Sequence, residues 1–309
     1  MAGYESGLKV TQMTLALNLV IALLLGPLMA GVVRKFVRAR LHSRQGPPVL
    51  QPFYDICKLL GKEDLRSSSS PIVDFAPIVV MAATITAALL TPMGMRSPLA
   101  GHGDLIVFVN LVTIAVVGTV MVGLSSASPY SLIGAAREIM MHIMVEPVLV
   151  ICLIVAAVKA QSLLFWHMAE GATAGGMSIS MVIATIAMLM AMQAQIGKQP
   201  FDIAEAETEV MGGAFVELSG PRLALFQWAS FARQIVYASM LAAIFIPWGI
   251  DLAPPWNLGA HLLKLLGVYV LVGIVDVVHP RIRVEQAIKF FVIIIVLSLI
   301  GLGLAIGGY

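Results

Sequence analysis

Four carboxylates stand within eight residues in the run Lys198-Gln-Pro-Phe-Asp202-Ile-Ala-Glu205-Ala-Glu207-Thr-Glu209, which lies between two apolar stretches. Placing one such acid in hydrocarbon costs roughly 2.5 to 3.5 kcal/mol even on a lenient insertion scale, so a cluster needs a wet, paired or protein-lined setting. Pro200 suits a helix's first turn and good helix formers follow. The spacing therefore predicts a helix on which Asp202, Glu205 and Glu209 share a face while Glu207 points away. Carboxylates packed this closely repel one another, which raises and couples their pKa values and lets a proton be shared or passed near neutral pH. The competing reading is a solvated acidic loop facing a basic partner, or a helix N-terminus that favours negative charge.

A second constellation lies in Arg137-Glu138-Ile-Met-Met-His142-Ile-Met-Val-Glu146-Pro147. Glu138, His142 and Glu146 fall at i, i+4 and i+8, one stripe of a helix entering the bilayer, with Glu146 about two turns in. An intramembrane acid is by default an ion or proton relay site, and a histidine one turn away offers a stepping stone. The blander alternative pairs Glu138 with Arg137 and makes His142 a hydrogen-bonded packing residue. Asp74, Asp276 and His279 sit at span edges, where acids mostly reach water. A third run, Arg34-Lys-Phe-Val-Arg38-Ala-Arg40-Leu-His-Ser-Arg44-Gln-Gly46-Pro47-Pro48-Val-Leu-Gln51-Pro52, is basic and then turn-rich. Lipid phosphates account for Arg34 to Arg40. The Gly-Pro-Pro turn followed by Gln51-Pro52 shapes a rigid loop of the kind used for docking.

The elements that must hold these groups are membrane helices. The 309 residues are 59% hydrophobic and 12% charged, with a mean hydropathy of +0.95, where a soluble domain carries about a quarter charged residues. This composition predicts an all-α integral membrane protein: a single polytopic domain over 1–309 with eight transmembrane helices at about 13–33, 72–90, 105–124, 139–158, 179–196, 225–246, 262–278 and 287–306. Prolines mark most span ends, while Pro77 and Pro147 fall inside spans and predict kinks. The first run is preceded by Glu5 and Lys9 rather than a basic n-region and lacks a small-x-small cleavage site, so it reads as a retained span.

Eight spans place both termini on one side. Of the 19 Lys and Arg, all but Lys9, Arg96, Lys159 and Lys264 fall in or beside the loops after spans 1, 3, 5 and 7. The positive-inside rule makes those loops cytoplasmic and both termini external. The long cytoplasmic loops are then Arg34 to Ser70, ending in the serine tract Ser67 to Ser70, and Gly197 to Ala224. Tyr54 to Leu60 has the apolar spacing of a helix lying along the membrane surface. With only Cys57 and Cys152, 95 positions apart, the chain offers no set of ligands for an iron–sulfur cluster or a structural zinc, so no cofactor is expected on it. No basic nucleic-acid face is present.

These residues carry a family resemblance. Gly46-Pro47, Leu50-Gln51-Pro52-x-x-Asp55-x-x-Lys58-Leu59-x-x-Lys62-Glu63, and Pro200-Phe201-Asp202-x-x-Glu205-x-Glu207-x-Glu209 followed by Gly213, Glu217 and Ser219-Gly220, resemble the signatures of the H-subunit family of respiratory complex I. That family includes the membrane subunits of energy-converting [NiFe] hydrogenases and formate hydrogenlyases. The compact Gly46 to Gln51 segment, Gly197-Lys198-Gln199 before Pro200, Gly134 to Glu138, and Val145-Glu146-Pro147 are similar to the hydrogenase branch.

The resemblance implies a metal-free junction between a redox arm and an antiporter-like membrane arm, in the plasma membrane of a prokaryote. Glu138, His142, Glu146, Asp202, Glu205, Glu207, Glu209 and Glu217 would line or border an ion path with Glu146, Glu205 and Glu209 as its core. Arg38, Arg40, Arg44, Gly46, Pro47, Gln51, Asp55, Lys58 and Lys62 would dock hydrogenase-like large and small subunits and a ferredoxin-like cluster subunit. The NiFe centre and iron–sulfur clusters would belong to those partners, and any quinone cavity would be closed or vestigial. Quinone reduction on the same scaffold, a stand-alone proton-coupled transporter, and a purely structural anchor are the alternatives.

Overall fold

The computed structural model describes residues 12–65, 70–126, 128–176, 178–250 and 252–308. Lys9 and Arg66 of the charge tally, and residues 67–69 of the serine tract, lie outside them. The principal helices are α1 (Gln12–Leu41), α2 (Gln51–Leu60), α3 (Ile72–Leu90), α4 (Leu105–Ser125), α5 (Pro129–Ala160), α6 (Phe165–Gly175), α7 (Ile179–Gln195), α8 (Glu207–Val210), α9 (Gly220–Ile244), α10 (Trp256–Val278) and α11 (Val284–Ile306). Among the described residues no β-strand forms, and one isolated bridge joins Asp104 to Leu164.

Helices stand at all eight expected span positions. Six of them, α1, α3, α4, α5, α10 and α11, are long and apolar enough to cross a bilayer. The other two fall short for different reasons. Helix α7 has 17 residues. Helix α9 has 25 but carries Arg222, Gln227, Arg233 and Gln234. It can carry them because it is the axis of the bundle: from Gln234 to Ile244 every residue is buried, and α1, α2, α3, α6, α7 and α10 all pack on it.

Three expectations are corrected. The first span does not end at Val33: α1 runs on to Leu41, with π-helical turns at Ile21–Leu25 and Val33–Arg38. Nothing between Val32 and Leu41 breaks a helix, and the chain turns only at Ser43 (φ 52°), ahead of Gly46-Pro47-Pro48. The span expected at 139 starts instead at Pro129, with Pro at its first helical position, so Glu138 is already nearly three turns inside α5. Pro77 and Pro147 lie within helices that continue past them. Third, the helix expected from Pro200 does not form, and only Glu207–Val210 is helical.

The last of these has a visible cause. Two carbonyls of this segment are taken by other elements: Pro200 C=O accepts from Ile282 N–H (3.1 Å) and Ile203 C=O from Arg137 (3.2 Å). Those carbonyls are not available to a helical ladder, so tertiary contacts override local propensity. Upstream, Gln199 N–H donates to the Asp276 carboxylate (3.0 Å) and Gln193 donates to Gln199 C=O (2.7 Å). The acidic segment is thus pinned to the ends of α7, α10 and α11.

Candidate functional site

Two glycines bring the acidic segment against α5. A Cβ on Gly134 would lie 2.4 Å from Gly213 Cα, and one on Gly213, whose φ is +62°, would lie 2.1 Å from Ala204 C=O. Only residues without side chains permit that approach, and Gly213 also needs the left-handed backbone. Ser131 reinforces the contact by donating to Ala214 C=O (3.1 Å). Glu138, one turn beyond Gly134, is thereby delivered to the loop carboxylates.

Two arginines then sort those carboxylates. Arg137 Nη1 reaches Glu209 (2.6 Å) as well as Ile203 C=O, and Arg281 holds Asp202 (2.9 Å) and Thr208 (3.2 Å). The shared face expected for Asp202, Glu205 and Glu209 therefore does not exist. Glu207 is exposed, as is Glu209 apart from its arginine, and the half-buried Glu217 lies beyond Gly213–Phe215. Glu205 has no ion pair among the described residues. It faces a cavity of about 20 Å³ lined by Glu138, His142, Gln195, Asp202, Glu205 and Arg233 among others. That is room for about one water, which needs roughly 10–15 Å³ on this measure.

Glu205 is exposed in this chain, yet neighbouring protein groups crowd its carboxyl where it borders the cavity, and that crowding controls its charge. Withdrawal from bulk water, then the nearby Glu138 carboxylate, lift the Glu205 carboxyl from 4.5 to about 7, with Asp202 adding to the rise and Lys198 and Arg233 opposing it. At neutral pH this group is poised between its two forms, as a proton carrier must be.

From the cavity a polar stripe descends along α5. His142 is buried; its Nδ1 lies 3.4 Å from Gln195 Nε2, and its Nε2 lies 3.5 Å from Glu146 Oε2 without hydrogen-bond alignment. Glu146 accepts a bond from Thr113 Oγ1 of α4 at 2.8 Å, and the same hydroxyl is 2.9 Å from Val109 C=O. One hydroxyl proton can serve only one acceptor at a time. Thr113 can donate to an ionised Glu146, or accept from a protonated one while donating to Val109, so it accommodates both states of the acid.

Three members of this site were not singled out from sequence. Gln195 and Thr113 carry no signal in a single chain. Arg233 did: assigned from sequence to a loop flank, it stands mid-helix in α9, where a cation in an apolar run is itself a flag. Its Nη1 is buried without a hydrogen-bond partner among the described residues. In the basic segment, Arg38, Arg40, Arg44, Pro47, Lys58 and Lys62 are exposed, Gln51 bonds Asp55 (2.8 Å), and Gly46 packs on Lys35 and Ala39. Among weaker candidates, Asp74 joins Asp64 around Arg222, at 2.6 and 2.9 Å.

A family model described as NADH dehydrogenase matches residues 13–306. This chain belongs to that family. It is 36% identical to hydrogenase-4 component C of Escherichia coli, over 83% of this chain and 84% of the relative. It is 37% identical to formate hydrogenlyase subunit 4 of the same organism, over 72% and 74%. An NADH-quinone oxidoreductase H-subunit from Syntrophobacter fumaroxidans is 28% identical over 93% and 91%. The fold matches a chain in the structure of the membrane-bound sulfane sulfur reductase, an archaeal respiratory membrane complex, with a TM-score of 0.87 and 29% identity, covering 96% of this chain and 99% of that one. The protein is a complex I-like membrane subunit of an oxidoreductase complex, and its partners are other subunits of such a complex.

Proposed function

We propose that this chain is the membrane-anchoring and coupling subunit of an energy-converting [NiFe]-hydrogenase-like complex, linking electron transfer in a cytoplasmic redox arm to proton or sodium translocation. One observation carries the reading: Glu205, which no arginine among the described residues holds and which unlike Glu207 lines the cavity, shares that water-sized space with Glu138 and His142, and His142 leads directly to Glu146. A proton taken up at Glu205 passes through the cavity water to His142 and on to Glu146, whose Thr113 partner accepts either protonation state. Asp202 and Glu209, with Arg281 and Arg137, fix the loop that presents Glu205. Glu207 and Glu217 border the path.

In this reading α7 and α9 complete an eight-helix membrane domain, both termini are external and the loops after the first and fifth spans are cytoplasmic. The exposed basic surface from Arg38 to Lys62 docks hydrogenase-like large and small subunits and a ferredoxin-like iron–sulfur subunit. Those partners carry the NiFe centre and clusters, and antiporter-like subunits receive the ion. The higher identity to hydrogenase-type relatives supports this branch over quinone reduction.

Purifying the complex through a tag on this chain tests the branch. The expected result is nickel in the co-purifying large subunit and redox turnover indifferent to quinone-site inhibitors. A nickel-free complex that such inhibitors stop would instead assign the chain to a quinone reductase.

A further inference from the structure

A second cavity, about 80 Å³ and four times the size of the first, opens between α1, α7, α9 and α10 and plays no part in the relay. Its walls divide by chemistry. Val33, Met192, Ala238, Val268 and Val272 form an apolar floor, while Arg34, Arg38 and Lys198 stand at the helix-end side. No hydrogen bond or ion pair within the described residues engages the side chain of any of these three cations. The single acid there, Asp276, already accepts from the Gln199 N–H. Tyr269, in the same wall, is 7% exposed, and its hydroxyl finds no hydrogen-bond partner among the described residues.

We propose that this cavity binds one anionic membrane phospholipid, its phosphate held by Arg34 and Lys198 and the start of an acyl chain resting on the apolar floor, with Arg38 left at the rim for the docking surface. The charge decides the ligand class. Cations that make no hydrogen bond or ion pair among the described residues, against one carboxylate that is already bonded, favour a negative headgroup over a neutral ring, and basic pockets between membrane helices on one leaflet are suited to such headgroups. Position agrees: Arg34 and Arg38 lie in the last turns of α1, Lys198 just past the end of α7, and Asp276 in the last turn of α10. All belong to the end of the bundle where a helix meets lipid headgroups. The volume holds a phosphate–glycerol neck and a few methylenes, leaving the remaining chain length to run along the outside of α1 and α10.

The site also adjoins the relay. Ile196 lines both cavities, and Lys198, at the headgroup end, is one of the cations facing Glu205. A bound lipid would therefore clamp the α1 end to the segment that carries the acidic loop. The assignment rests on the chain's being a membrane subunit and not on the relay.

Native mass spectrometry and lipid extraction of the whole complex, purified in mild detergent, test it. The wild-type complex is expected to keep an anionic phospholipid, to regain it after delipidation from anionic but not zwitterionic lipid, and not to lose it to excess inorganic phosphate. Arg34→Gln should cut retention several-fold, and Ala30→Phe, which fills the floor without touching charge, should do the same. Glu205→Gln should retain lipid at the wild-type level, so failure of the relay reading and failure of this one are separable. Retention unchanged in both Arg34→Gln and Ala30→Phe, a neutral quinone in place of phospholipid, or displacement by inorganic phosphate would each overturn the proposal.

Discussion

Both ends of the helical bundle bury ionisable groups, and the two ends treat them differently. At the α9 C-terminus, Lys264 is 8% exposed and donates to Ala242 C=O (3.0 Å) and Ile246 C=O (2.8 Å), while the neighbouring His261 lies 3.4 Å from Ser239. The lysine is a cap, meeting carbonyls that a helix end leaves open and complementing its dipole. At the other end, Glu205, His142 Nε2 and Arg233 Nη1 are crowded around a cavity without full hydrogen-bond satisfaction. Burial alone therefore does not mark function. A buried charge whose valences are filled by backbone holds a structure, whereas one left beside a water-sized space can change state.

That contrast ranks the consequences of breaking each end. Neutralising the relay should have the largest effect. Glu146→Gln should lower the number of ions moved per electron pair several-fold or more, with assembly of the complex unchanged on a sizing column. Gly213→Ala comes next, since its Cβ meets the Ala204 carbonyl in a backbone conformation costly for any L side chain. A loss of roughly 1–3 kcal/mol is expected, read as a lower thermal midpoint together with impaired coupling, because the loop is displaced from α5. Lys264→Met should cost a similar or smaller amount, roughly 1–3 kcal/mol for two carbonyls left unmet. It should lower the midpoint with no change in ions per electron pair; a coupling defect there would erase the distinction between the two ends.

The smallest effect is on pH dependence. The Glu205 carboxyl titrates near 7 in the folded protein against 4.5 ordinarily, so between those values the folded state holds a proton the unfolded chain has lost. Stability should fall as pH rises through this window and level off above it. Glu205→Gln should remove that slope. Infrared difference spectra should show a protonated carboxyl band that is half lost near pH 7 in the wild type and missing in the variant.

Much of this was legible in sequence because hydrophobic length is a blunt, reliable signal. The positions of the long helices follow from runs of apolar residues bounded by Pro and Gly, as does the pairing of Glu138, His142 and Glu146 on one helical stripe. The acidic loop was not legible in the same way. Its residues have helical propensity, and only partners from far along the chain, Arg137 and Ile282, turn its carbonyls away from a helix. The arginines Arg137 and Arg281 pin Glu209 and Asp202 and leave Glu205 and Glu207 without an arginine, so four carboxylates that look alike in sequence become unlike in space. Arg233 was readable as a cation inside an apolar span; Thr113 was not, because its role depends on the packing of α4 against α5.

In the proposed relay Glu205 hands protons to the α5 stripe and takes no part in electron transfer itself. The most direct test is the ratio of ions translocated to electrons transferred by the whole complex in sealed proteoliposomes, comparing wild type with Glu205→Gln. Glu205→Gln is expected to retain electron transfer measured with an uncoupler present and to lose ion translocation. Translocation at the wild-type ratio in that variant, with the complex fully assembled, would contradict the relay.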